Sequence, residues 1–203
     1  MTFVQPAPSS VLLATADTTT LRQTLLELLC EFAYREGDFV LASGQQSSYY
    51  INCKPVTLHP VGALVTGRLL LGQIPTEAQG VAGLTLGADP IVTAVSVVSA
   101  YEGRPLPALI IRKEAKGHGT QAYIEGPELV PGAKVVVLED VVTTGGSALK
   151  AVQRLQAVGY LVEDVIAIVD RQQGGQELYE KEGLRFQAIF QISDLQEFVK
   201  GRK

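Results

Sequence analysis

The chain has no tryptophan, one methionine and only two cysteines in 203 residues. Cys30 and Cys53 form no CxxC pattern and have no histidine nearby, so a disulfide framework and a zinc knuckle are both excluded. They read as reduced core residues of a cytosolic protein. No zinc, haem or nicotinamide site is visible. Long apolar runs are missing too. The longest, a helical stretch ending in VVSAYEG, is broken by small and polar residues, and no segment reaches the length of a membrane span. The opening MTFVQPAPSS has no basic start, so a secretory signal is not expected. Positive charge is in deficit: 17 Lys and Arg against 21 Asp and Glu give a formal charge of −4, and the pI is about 5.3. Such a chain presents no nucleic-acid-binding face. A cytoplasmic protein with neither membrane nor nucleic-acid partner is expected.

What the chain does contain is concentrated in Val135 to Ser147, which reads VVVLEDVVTTGGS. A short unbroken apolar run suits a strand buried on both faces of a parallel sheet. The following SALKAVQRLQAVGY has helical spacing, with Leu149, Val152, Leu155 and Val158 on one face. Thr143 to Ser147 is therefore a strand-to-helix turn. Its backbone N–H groups, its hydroxyls and the helix dipole can converge on one phosphate. A bare TTGGS would read equally as a tight helix entry. The preceding Glu139 and Asp140 make the motif more specific, because they stand at the carboxyl end of the strand, where open α/β sheets bind ligands. Beside a phosphate they would repel the ligand unless they met its hydroxyls or a hard cation. A sugar phosphate carrying Mg²⁺ offers both.

The length suits one α/β domain. Residues 1–17, with Pro6 and Pro8 and no periodicity, are expected to form an arm or a frayed end. Thr18 to Thr20 offer caps for a helix with Leu21, Leu25, Leu28, Leu29 and Phe32 on one face. Two β-like runs, Phe39–Leu41 and Tyr49–Cys53, flank a Ser/Gly/Gln turn and read as a hairpin. Pro60 opens a further helix, and His59 before it reads as a turn residue without a partner. From Gly80 onward, five β-runs alternate with helices: GVAGLTLG, ALIIR, the central strand, LVEDVIAIVD and LRFQAIFQ. The last helix, ISDLQEFVK, is expected to be capped at Ser193. The pattern predicts an α/β fold, a mostly parallel sheet with helices on both faces. A small N-terminal hood over about 18–60 would carry the hairpin, and the core would span about 61–203.

One basic cluster stands out against the acidic background. RKEAKGHG places Arg112, Lys113, Lys116 and His118 within seven positions, directly after a predicted strand. A solvated loop face is the ordinary reading. Its place at the same sheet edge as the cradle, and its length with Gly117 and Gly119, suit a lid instead.

The VVVLEDVVTTGGS segment resembles the signature of type I phosphoribosyltransferases, which bind phosphoribosyl pyrophosphate (PRPP). RKEAKGH resembles the R-K-x-x-K-x-H loop of the orotate phosphoribosyltransferase branch. SGQQSSYYIN resembles that branch's base-side hairpin, and Asp170-Arg171 its D-R pair. At three places the chain departs from the pattern. Many relatives carry a lysine where this chain has Ala42, and another near Gly87. Ser48 stands where proline is usual.

The resemblance implies the type I phosphoribosyltransferase fold, transfer of phosphoribose from PRPP to orotate, and Mg²⁺ as cofactor. It assigns Arg112, Lys113, Lys116 and His118 to pyrophosphate, with Lys116, His118 and Asp140 as catalytic residues. Glu139 and Asp140 would hold the ribose hydroxyls. Val141, Val142, Thr143, Thr144, Gly145, Gly146 and Ser147 would wrap the 5′-phosphate. Thr143 and Arg171 would meet orotate, lined by Tyr50 and Ile51. The protein would hold Mg²⁺ through PRPP, with Asp140 as the one candidate side-chain contact. A homodimer with shared active sites is implied as well. Read by residue alone, Arg171 suits a surface ion pair, and the tyrosines suit hairpin packing. A purine phosphoribosyltransferase or a PRPP-sensing regulator are the alternative functions.

Overall fold

The computed structural model describes residues 13–40, 44, 46–115 and 123–202. The first helix lying wholly within the described residues is α1 (Thr18–Leu28), which runs into a single π-turn at Leu29–Ala33. A hairpin follows, made of β1 (Tyr34–Val40) and β2 (Gln46–Ile51). Next come a short α2 (Lys54–Thr57) and α3 (Pro60–Leu71). The remaining chain alternates: β3 (Gly80–Leu84), α4 (Asp89–Tyr101), β4 (Ala108–Ile111), β5 (Ile124–Glu125), β6 (Val135–Val142), α5 (Gly146–Ala157), β7 (Asp164–Asp170), α6 (Gly175–Lys181), β8 (Arg185–Gln191) and α7 (Ile192–Lys200).

The main sheet runs β5-β4-β3-β6-β7-β8. All its pairings are parallel except that of β5 with β4. The five predicted β-runs all form strands. The two-residue β5 was not expected, since so short a strand leaves no periodicity to read. Side chains alternate across the central strands and feed two cores. Val136, Leu138 and Ile166 join α1, α3, α4 and α7 on one face. Val135, Val137 and Val165 join α5 and α6 on the other. Burial on both sides explains why these strands are continuously apolar.

Local signals were partly displaced. Helix α1 is capped by Asp17, whose carboxylate accepts from Thr20 N at 2.7 Å, rather than by a threonine. His59 is no idle turn residue: it is buried and caps α3, its Nδ1 accepting from Gly62 N at 3.4 Å. Pro60 takes the first helical position as expected. Helix α7 is capped by Gln191 and not Ser193; Gln191 N donates to Asp194 Oδ2 at 2.8 Å in a reciprocal box. On α5 the fully buried face is Ala148, Ala151, Val152 and Leu155, with Leu149 and Val158 only half-buried. Small alanines let the helix lie close to the sheet.

The hairpin is longer than its apolar runs suggest. Strand β1 begins at Tyr34, and most of it is exposed, so only backbone pairing marks it as a strand. Its register shifts between Glu36 and Phe39, a bulge that bends the ribbon. Of the two cysteines, Cys53 is buried, but Cys30 is only partly so. Burial raises both thiols, Cys30 to about 11, which leaves neither reactive.

One close approach sets the geometry at the top of β3. A Cβ on Gly83 would stand 2.2 Å from Ala88 Cβ and 2.8 Å from the Leu138 carbonyl oxygen, with backbone on one side and helix on the other. Gly83→Ala is therefore expected to destabilise the fold by about 1–3 kcal/mol through overpacking. Urea unfolding checks this; a midpoint equal to the wild type would refute it.

Candidate active site

Because β3, β4, β6 and β7 are parallel, their carboxyl ends share one edge. From β3 the chain moves outward to β4, and from β6 it moves the other way to β7. The reversal lies between β3 and β6, which is where open α/β sheets bind ligands. Glu139 and Asp140, the turn from Thr143, the Thr85–Ala88 loop and Arg171 all meet at this crevice.

The turn after β6 has its hydroxyls in reach of solvent: Thr143 is half-exposed, while Thr144 and Ser147 are exposed. Gly145 adopts φ +83°, a conformation that favours glycine. Its carbonyl also accepts from the buried Tyr179 hydroxyl at 3.1 Å, and a Cβ on it would strike the Tyr179 ring at 2.9 Å. Gly175 lets α6 approach as closely, since a Cβ there would stand 2.3 Å from Val142 Cγ1. Helix α6 thus braces the cradle from beneath. Tyr179 was not found by sequence reasoning; its sole signal was an apolar position in a short amphipathic helix.

The two carboxylates differ sharply. Glu139 is only 6% exposed, and its Oε2 has no partner among the described residues. Burial, and then the neighbouring Asp140 charge, holds its carboxyl well above the usual range. Asp140 is half-exposed, and its Oδ1 accepts from Val141 N at 2.9 Å. A Cβ on Gly87 would come within 2.4 Å of that same Oδ1. A side chain at position 87 would displace Asp140, a physical reason for glycine at this point of the loop.

Arg171 is not a surface ion pair. It is 8% exposed, and its backbone N–H donates to the Val142 carbonyl at 2.9 Å, joining the end of β7 to the cradle. Its side chain reaches the hairpin, where Nε donates to Tyr49 Oη at 3.0 Å. Of the hairpin aromatics, Tyr49 is buried against Tyr34, with ring centroids 5.8 Å apart. Tyr50 is 44% exposed and packs on Phe39 at 5.6 Å. Ile51 is half-buried against the core. The hairpin therefore supplies packing from Tyr49 and an open aromatic face from Tyr50.

Arg112 and Lys113 leave β4 at the same edge. Arg112 N donates to the Tyr123 carbonyl at 2.8 Å, and its guanidinium pairs with Glu125 at 3.0 Å. Arg154 on α5 holds this neck from outside. It donates to the carbonyls of Arg112 and Lys113 and stacks 4.0 Å from the Tyr123 ring centroid. No sequence signal marked Arg154, which looks like any polar residue of an amphipathic helix. Lys116, Gly117, His118 and Gly119 of the basic loop lie outside the described residues, as does Ala42.

Comparison with known proteins finds relatives in both sequence and structure. No protein-family model matches the chain. It is 71% identical over 191 residues to an orotate phosphoribosyltransferase of Nostoc sp., covering 94% of this chain and 93% of that one. An orotate phosphoribosyltransferase of Synechocystis sp. is 66% identical over 188 residues, 93% of this chain and 95% of the relative. Among solved structures, Mycobacterium tuberculosis orotate phosphoribosyltransferase in complex with PRPP superposes with a TM-score of 0.71 at 38% identity, covering 86% of this chain and 98% of that one.

The buried Glu139 sets a pH dependence. In the unfolded chain it ionises near the ordinary glutamate value of about 4.3, whereas in the fold it keeps its proton to higher pH. Its contribution to stability is full below the ordinary value and lost as pH rises through the raised one. Urea unfolding should give a free energy that falls as pH rises above the ordinary glutamate value of about 4.3, with the fall reduced in Glu139→Gln. Equal slopes in both proteins would contradict it.

Proposed function

The chain belongs to the orotate phosphoribosyltransferase family, and we infer that it transfers the phosphoribosyl group from PRPP to orotate, giving orotidine 5′-phosphate and pyrophosphate. The observation that carries this reading is the position of Arg171: its backbone N–H donates to the Val142 carbonyl just before the Thr143–Ser147 turn, and its guanidinium reaches Tyr49 and Ser47 of the hairpin. An anionic base next to a sugar phosphate needs both the cation and the turn. Absorbance at the orotate band, followed with PRPP and Mg²⁺ against a panel of purine and pyrimidine bases, tests the assignment. Orotate should be consumed and the purines left untouched.

Within that reaction, Val141 to Ser147 wrap the 5′-phosphate, with backbone N–H groups and the α5 N-terminus facing it. Glu139 and Asp140 accept from the ribose hydroxyls, which gives the unpartnered Glu139 oxygen a donor. Arg171 and Thr143 meet orotate, and Tyr50 and Ile51 line it. Arg112, Lys113, Lys116 and His118 take the pyrophosphate. The bond from the anomeric carbon to pyrophosphate lengthens through an oxocarbenium-like transition state as an orotate nitrogen enters. Lys116 and His118 neutralise charge on the leaving group. Positioning and electrostatics carry the catalysis.

Mg²⁺ fits this site as a passenger of the substrate. No group of three or more His, Cys, Asp and Glu able to hold a metal occurs among the described residues. The half-exposed Asp140 carboxylate would offer a hard oxygen to the ion alongside oxygens of the substrate. When bound, the ion adds positive charge against the departing pyrophosphate. Residues 18–60 act as a hood over the crevice. A cytoplasmic location suits the reduced cysteines, and no helix among the described residues is long and apolar enough to cross a membrane.

We also propose a homodimer with shared sites. A groove of about 610 Å³ runs between α2–α3 and α4, lined by Leu58, Ala63, Leu64, Ala94 and Val97. Leu58 is 69% and Val97 53% exposed, a contiguous apolar face that suits a second copy of the chain.

Asp140→Asn should weaken PRPP binding by about tenfold or more, the scale of a charge-assisted hydrogen bond, while orotate binding stays within about twofold. Calorimetric titration of each ligand decides; equal losses would remove Asp140 from the ribose. For the assembly, Val97→Asp should turn a dimer into a monomer in sedimentation velocity, with activity falling alongside. A wild-type protein that sediments as a monomer would end the proposal.

A further inference from the structure

Arg171 is held in place by more than its own backbone. Its Nε donates to Tyr49 Oη at 3.0 Å, and its Nη2 donates to Ser47 Oγ at 3.4 Å. The guanidinium carbon stands 4.8 Å from the Tyr49 ring centroid. These partners are neutral, so they orient the cation without cancelling its charge. They use the Nε edge and one Nη2 position, and Nη1 has no partner among the described residues.

The hairpin residues are themselves fixed. The Tyr49 ring is buried against Tyr34, and the Ser47 hydroxyl donates to the Tyr49 carbonyl at 2.7 Å. From the other side, Asp170 Oδ1 accepts from Gln172 N at 2.8 Å, and Gln172 turns the chain with φ +56°. The guanidinium therefore sits between two rigid supports that are 122 residues apart in sequence. A planar cation recognises a carboxylate through two parallel bonds only if its plane is set beforehand.

We propose that Tyr49, assisted by Ser47, is a specificity-determining positioning residue: its hydroxyl fixes the plane of Arg171 so that the enzyme selects an anionic pyrimidine over an uncharged one. The proposal rests on the reading that Arg171 meets the orotate carboxylate. Tyr49 acts through Arg171 and contributes to discrimination by preorganisation.

Tyr49→Phe keeps the ring, its contact with Tyr34 and its place under the guanidinium, and removes one hydroxyl. Steady-state kinetics should show the KM for orotate rising about tenfold, the scale of one hydrogen bond to a charged group. The KM for PRPP should stay within about twofold, and the kcat/KM ratio of orotate over uracil should fall by about the same tenfold factor. Ser47→Ala should move the same quantities in the same direction by less, and it carries the test alone if Tyr49→Phe does not fold. Arg171→Ala should raise the orotate KM further, and adding Tyr49→Phe to it should change nothing more. The proposal is overturned if Tyr49→Phe leaves the orotate KM unchanged, raises both substrates' KM alike, or adds its full effect in the Arg171→Ala background. If Arg171→Ala itself leaves the orotate KM unchanged, the underlying reading of Arg171 fails. If Arg171→Ala raises it and Tyr49→Phe does not, only the role of Tyr49 fails.

Discussion

The geometry at the sheet edge depends on how closely helix α6 packs beneath the turn that follows β6. Gly175 admits Val142, and the Tyr179 hydroxyl donates to the Gly145 carbonyl at 3.1 Å. Without that floor the turn would be a solvated loop, and its N–H groups would have no fixed direction. Fixed donors stabilise an anion more than mobile ones because no reorganisation is needed when the ligand arrives. The same brace reaches β7, since Val142 also accepts from Arg171 N. The turn after β6 and the backbone at Arg171 are thereby joined.

Charge at the crevice is arranged by depth. Glu139 lies deep, where burial and its neighbour favour the protonated form, and Asp140 lies at the rim. A carboxyl that favours its proton repels an incoming anion less than a carboxylate would. The cations stand on either side, Arg171 at β7 and Arg112 and Lys113 at β4. Arg154 holds the carbonyls of the latter two and so governs where the basic loop leaves the sheet.

The fold and the cradle were legible in the chain for a simple reason. Strands buried on both faces must be continuously apolar, so β3, β6 and β7 announce themselves. A tight strand-to-helix turn needs glycine where φ is positive, as at Gly145, so Thr143 to Ser147 does too. Strand β1 was less legible, because an exposed hairpin strand is held by backbone pairing that leaves little trace in side-chain type. His59 was misread for a related reason. A histidine capping a helix looks like any residue before a proline until its nitrogen is seen to meet Gly62 N.

By itself the sequence determined the alternation of strands and helices, the two carboxylates at the end of β6 and the glycine-bearing turn into α5, all of which follow from local periodicity and chemistry. Only the tertiary structure decided what Arg171, Tyr49, Tyr179 and Arg154 do. Their partners lie 122 residues away for Arg171 and Tyr49, 34 for Tyr179 and Gly145, and 42 for Arg154 and Arg112. Contacts over such separations are set by how the sheet is ordered and which helix covers which face, and no short stretch of chain encodes them.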